Sequence, residues 1–124
     1  MLSVEDEEGE VRQANSVLAC LECLRELHAD LGLLDVCVLM LVAERPGISV
    51  AEIETRLGVA RLTASRALRA FATEDFQNVL PPALGLVELR RSAQNGRSLT
   101  AWLTGPGERL VQKFNALIER GVQI

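Results

Sequence analysis

Between Arg61 and Arg69 the chain reads RLTASRALR, with guanidinium groups at Arg61, Arg66 and Arg69 and hydroxyls at Thr63 and Ser65. These are hydrogen-bond donors suited to phosphate oxygens and to the acceptor edges of bases. Arg66 and Arg69 are three residues apart, so a helix sets them on one face. There either can meet guanine O6 and N7 bidentately or grip a phosphate. Leu62 is the apolar exception and can touch a thymine methyl, whereas Thr63, near the start of the segment, can instead cap a helix. A solvated arginine face has the same composition, so the elements around the segment decide its meaning.

The segment is preceded by ISVAEIETRLGVA, residues 48–60. Ser49 and Glu52 form an S-x-x-E capping box, in which hydroxyl and carboxylate each satisfy a backbone N–H at a helix start. This predicts a helix from about Val50. Val50, Ile53 and Leu57 supply its apolar face, and Gly58 accepts the left-handed backbone that ends it. After the turn Gly58-Val59-Ala60, Ala64, Ala67, Leu68 and Phe71 form the buried face of a second helix. Two short helices joined by a tight turn, with arginines on the second, are the pattern of a helix-turn-helix over about 49–72, a DNA reader.

Thr73 to Gly85, with Glu74-Asp75, Gln77-Asn78 and Pro81-Pro82, reads as a loop or helix end followed by an extended segment. Leu86–Arg91 and Ser98–Leu103 alternate as strands, and Asn95-Gly96 between them suits a tight hairpin turn. A hairpin directly after a recognition helix is a wing, here about 86–104. Arg97 at its tip is expected to enter the adjacent minor groove, with Arg90 and Arg91 on the flanking backbone. Arginines on an exposed hairpin also serve to keep an edge strand soluble. Trp102 is expected to turn from the strand's core face and pack against a neighbouring element.

Residues 1–9 are acidic and lack periodicity, and are expected to be a flexible tail. From about 10 to 31, Ala14, Val17, Leu18, Leu21, Leu24, Leu27 and His28 share one helical stripe, widened by Cys20. That width suits either a core plus a second subunit or a fully buried helix. Leu34–Glu44 is apolar almost all round, a central helix stopped by Pro46-Gly47. A last helix, about 107–120, presents Leu110, Val111, Phe114, Leu117 and Ile118, and Gly121 is expected to end it. The expected fold is mainly α with a small β-hairpin wing: a single winged helix-turn-helix domain, 10–124.

The net charge is −4 over 124 residues. Residues 1–45 hold three arginines against ten carboxylates, a balance of −7, whereas residues 46–124 hold ten basic and seven acidic side chains, +3. Positive charge thus sits with the reader. The acidic N-terminus lacks the pattern of a signal peptide, and the longest apolar run falls short of the about 20 residues that cross a bilayer. A cytoplasmic protein without a membrane partner is expected. Cys20, Cys23 and Cys37 are odd in number, which disfavours a disulfide framework. Cys20-x-x-Cys23 is read as structural thiols, with a thiol sensor as the rival. No catalytic constellation, metal site or cofactor motif is visible, which points away from an enzyme.

Taken in order, these elements resemble the winged-helix regulators of the MarR (multiple-antibiotic-resistance-regulator) family over about Leu33–Arg120. The resemblance rests on VLMLVAERPGISVAEIETRLGVARLTASRALRAF at 38–71, GLVELRR at 85–91, Arg97, and LTGPGERLVQKF at 103–114. In the last of these, Leu103, Thr104, Gly107 and Leu110 match an LT-x-x-G-x-x-L signature. The resemblance implies a homodimer whose N- and C-terminal helices pair, with two recognition helices in successive major grooves of a pseudopalindromic operator, usually to repress nearby genes. It places DNA contacts on Arg61, Leu62, Thr63, Ser65, Arg66, Arg69 and the wing's Arg97. The chain departs from the pattern in having Asn95-Gly96 where an acidic residue usually precedes the wing arginine. A second departure is an extra stretch of roughly ten residues, TEDFQNVLPP, before the wing. Small-molecule effectors are known in the family, but the few aromatic residues here do not call for one. The competing reading is a winged-helix protein-interaction adaptor without sequence-specific DNA binding, using the acidic segment and the 73–85 insertion.

Overall fold

The computed structural model describes the backbone of residues 4–92 and 98–122, and the side chains of residues 15–92 and 98–119. The order of elements is α1 (Val4–Leu27), α2 (Leu33–Glu44), β1 (Ile48–Ser49), α3 (Val50–Leu57), α4 (Arg61–Phe71), β2 (Val87–Arg91), β3 (Leu99–Leu103) and α5 (Gly105–Val122). Residues 32–108 form one compact unit, and those up to Leu31 together with those from Arg109 onward form a second. The expected mainly helical architecture with a hairpin is present, and β1 joins the hairpin to make an antiparallel sheet of order β1-β3-β2.

In the 32–108 unit, α2 is the centre. Val38, Leu39, Leu41 and Val42 of its aliphatic run are buried, as are Ile48, Ile53, Leu68, Phe71 and Val87 of the same unit, while Leu33 at its start is exposed. Each such side chain contributes roughly 1.5–3 kcal/mol of burial. Asp35 starts α2 by accepting the Gly32 N–H at 2.9 Å. β1 was not anticipated, since two residues are too few for periodicity to mark. It forms because Pro46-Gly47 turns the chain, and Ile48 and Ser49 then face Ala101 and Thr100 of β3. Gly47, at φ 87°, donates its N–H to the Ala101 carbonyl at 2.8 Å. A Cβ there would stand 3.0 Å from the Trp102 ring.

The 73–85 insertion is a loop that completes the C-terminus of α4. The N–H groups of Leu80, Leu84, Gly85 and Leu86 donate to the carbonyls of Arg69, Ala70, Ala72 and Phe71 at 2.9–3.1 Å. The last carbonyls of a helix lack the usual partner four residues on; that of Arg69 also accepts the Ala72 N–H of the helix end at 3.3 Å. β2 and β3 pair in register from Val87↔Leu103 to Arg91↔Leu99, and the Ser92 N–H donates to the Ser98 carbonyl at 2.7 Å. The Asn95-Gly96 turn lies outside the described residues. Thr104 joins sheet to helix: its hydroxyl donates to the Gly85 carbonyl at 2.7 Å and accepts the Gly107 N–H at 3.1 Å. A Cβ on Gly107 would overlap the Leu86 carbonyl oxygen. Two residues of the L-T-x-x-G-x-x-L pattern therefore have packing reasons. α5 starts two residues earlier than expected and runs through Gly121 to Val122, so that glycine does not end it.

In the terminal unit, α1 departs from expectation at both ends. It begins at Val4, inside the acidic segment. It stops at Leu27, because the His28 Nδ1 accepts the Asp30 N–H at 3.3 Å and turns the chain. The stripe is also divided. Ser16, Cys20 and Leu24, at four-residue spacing, are buried, while Val17, Leu18, Leu21 and Leu27 stay 41–53% exposed. Cys20 donates to the Phe114 carbonyl of α5 at 3.9 Å. Its burial, and secondarily the nearby Cys23, push its thiol up from the ordinary value.

Candidate nucleic-acid interface

The helices α3 and α4 form for the reasons their sequence contains, with one amendment. Ser49 caps α3 by accepting the Glu52 N–H at 3.1 Å, but the reciprocal half of the box is replaced. The Glu52 carboxylate accepts the Ser49 hydroxyl at 3.3 Å and faces Arg45 at 3.6 Å. Gly58 ends α3 at φ 65°, ψ 37°, its N–H donating to the Glu54 carbonyl. α4 follows after Val59 and Ala60. Ala60 holds its N-cap position without a side-chain bond, so Thr63 does not cap the helix and is left exposed. Ala64, Ala67, Leu68 and Phe71 are buried to 5% exposure or less, which fixes the rotation of α4 and turns Leu62 and Arg66 outward.

The arginines of α4 differ in what already holds them. Arg61 places Nε 3.0 Å from Oε1 of Glu54 across the turn. Arg69 folds back, Nε donating to the Ser65 carbonyl at 3.4 Å. Arg66 is exposed and, among the described residues, has neither ion pair nor hydrogen bond. Arg61 and Ser65 also line a cavity of about 170 Å³ with Ser49, Val50, Ala51, Ser98 and Leu99. The start of β3 thus stands beside the recognition segment. Sequence reasoning treated Ser49 only as a cap and passed over Ser98, and nothing local marks either as a neighbour of Arg61.

On the hairpin, Arg90 lies with Cζ 4.5 Å from the centroid of Trp102 and Nε 3.3 Å from Oε1 of Glu88. The indole N–H of Trp102 donates to the Thr100 hydroxyl at 3.4 Å. Trp102 therefore packs on Arg90 and Gly47, on the sheet face away from the core. Arg91 points to the other face, its Cζ 5.7 Å from the Phe76 ring of the insertion. Both guanidinium groups have intramolecular partners, and the aromatic ones, Trp102 and Phe76, are distant in sequence. Arg97 lies outside the described residues. No cluster of three or more His, Cys, Asp or Glu side chains suited to a metal occurs among the described residues, nor is any described helix long and apolar enough to cross a membrane.

No protein-family model and no curated protein matches the chain. Solved structures do, and they share the MarR-like winged-helix fold. A crystal structure of MarR is 22% identical, with 85% of this chain and 74% of that chain covered at a TM-score of 0.57. The PcaV transcriptional regulator from Streptomyces coelicolor, solved with its natural ligand, is 19% identical with 99% and 80% covered at 0.56. Overoxidized AbfR bound to DNA is 17% identical with 92% and 84% covered at 0.56.

Proposed function

We propose that this chain, built on the MarR-like winged-helix fold, is a sequence-specific double-stranded DNA-binding transcriptional regulator acting as a dimeric repressor. α4 enters the major groove, and the hairpin with Arg97 meets the minor groove or backbone. The observation that carries the reading is the outward face of α4, where Arg66 stands exposed and unpaired among the described residues, flanked by Leu62, Thr63 and Arg69. The positive balance of the chain from residue 46 onward supports it, as does the structural likeness to AbfR bound to DNA. A homodimer accounts for Val17, Leu18, Leu21, Leu27 and Ile118, aliphatic side chains left 41–53% exposed in the terminal unit. In the proposed complex, α1 and α5 of two copies cover one another. The protein acts by binding rather than catalysis, in the cytoplasm.

The adaptor reading draws on the acidic segment and the insertion, but in that loop the N–H groups of Leu80, Leu84 and Gly85 are spent on the end of α4 and Phe76 meets Arg91. Selection from a randomised duplex pool by the purified chain separates the two. Enrichment of an inverted repeat with half-sites about one helical turn apart is expected for a symmetric reader. Absence of enrichment overturns the regulator in favour of the adaptor.

A further inference from the structure

We infer that Leu62 and Arg66 read a thymine and a guanine as a pair, Leu62 covering the thymine 5-methyl and Arg66 bonding guanine O6 and N7. The inference rests on the DNA-reading function and adds the bases that α4 prefers. At about 100° of rotation per residue, the buried positions Ala64, Ala67, Leu68 and Phe71 centre on one side of the helix. Leu62 and Arg66, one turn apart, fall on the opposite side. Leu62 is 55% exposed, the large apolar side chain that α4 leaves in solvent. Single exposed leucines are common on surfaces, but this one follows Arg61 in sequence and precedes Arg66 by one helical turn. An apolar protein partner covering it would have to desolvate those charges. Duplex DNA neutralises them with phosphate and offers, on the major-groove edge, the thymine methyl as its apolar feature.

The pairing state of the arginines selects Arg66 as the partner. Arg61 is drawn sideways to Glu54 and Arg69 is turned back to the Ser65 carbonyl, whereas Arg66 has no intramolecular tie among the described residues. In helix-turn-helix readers the N-terminal part of the recognition helix meets the base edges, and Leu62 and Arg66 occupy the first two turns of α4. Four residues of helix rise about 6 Å, on the order of two base steps at about 3.4 Å each. Each half-site is therefore expected to carry a thymine and a guanine within about two steps of one another.

The test uses the full chain and the operator enriched from the random pool. Each thymine is replaced in turn by deoxyuridine, which removes only the methyl, and each guanine by 7-deazaguanine, which removes N7. Wild-type protein is expected to lose about fourfold in affinity at one thymine per half-site, the value of one buried methyl group. Leu62→Ala should bind the deoxyuridine and thymidine duplexes equally at that position while keeping its salt slope. The nearby 7-deazaguanine loss should vanish in Arg66→Ala. Both residues are exposed, so the variants should fold as the parent does, as circular dichroism will show. A flat deoxyuridine scan on an enriched operator, or a methyl effect that persists in Leu62→Ala, overturns the pair while leaving DNA reading intact. Failure to enrich any operator overturns the function and the pair together.

Discussion

On the proposed function, Glu54→Gln is expected to tighten DNA binding while slightly weakening the fold, because a DNA phosphate would compete with the Glu54 carboxylate for Arg61. Arg61 is 78% exposed in its side chain and Glu54 is 29% exposed, with Nε and Oε1 3.0 Å apart. An ion pair in that setting contributes about 0.2–1 kcal/mol to stability. Replacing the carboxylate with an amide gives up that contribution and leaves the Arg61 charge uncompensated. If Arg61 then neutralises one further phosphate per protomer, log affinity against log salt steepens by about 0.9. Going from about 200 to about 50 mM salt, the variant gains about 3.5-fold more than the parent per protomer, or about 12-fold for two copies. Fluorescence anisotropy on the enriched operator at four or five salt concentrations reads this slope, and urea unfolding reads the stability cost. An unchanged slope refutes the reasoning. So does a steeper slope that survives in Glu54→Gln/Arg61→Ala, where no Arg61 remains to be released.

Three further outcomes are expected. Gly58→Ala forces a Cβ into a backbone at φ 65° and should lower stability by about 1–2 kcal/mol, read as a shifted denaturant midpoint with unchanged m-value. Thr104→Val removes the hydroxyl that bridges the Gly85 carbonyl and the Gly107 N–H. It should cost about 1–3 kcal/mol, with earlier amide exchange at Gly107 than elsewhere in the first turn of α5. For Cys20, burial and Cys23 raise the folded-state value, so the folded chain keeps a proton that the unfolded chain releases above about pH 8.5. Stability should therefore fall as pH rises through that window, the fall should be smaller in Cys20→Ala, and alkylation at about pH 8 should label Cys23 before Cys20.

How far the site is legible from sequence differs residue by residue. Gly58 and the Ser49 cap are readable because a positive φ and an unpaired N–H are problems solved within a few residues of where they arise. The buried side of α4 is readable because Ala64, Ala67, Leu68 and Phe71 repeat at the helical period. The same logic gave only a partial account of α1, where the wide stripe has two sides and the sequence does not say that Cys20 and Leu24 lie on the covered one. Thr63 illustrates another limit: its position allows a cap, but the chain enters the helix one turn position earlier, at Ala60, which has no side-chain donor or acceptor to spend.

Sequence alone determined that two short helices joined at Gly58 carry three arginines on an outward face, and that a hairpin follows. Those features follow from backbone preferences and periodicities that act over at most a turn or two. Tertiary structure decided which arginines of α4 and of the hairpin are available. Glu54 holds Arg61 from the neighbouring helix, Trp102 meets Arg90 from across the hairpin, and Phe76 meets Arg91 from the insertion. A charge's partner depends on which surfaces the folded chain brings within a few ångströms, and sequence separation carries no measure of that distance.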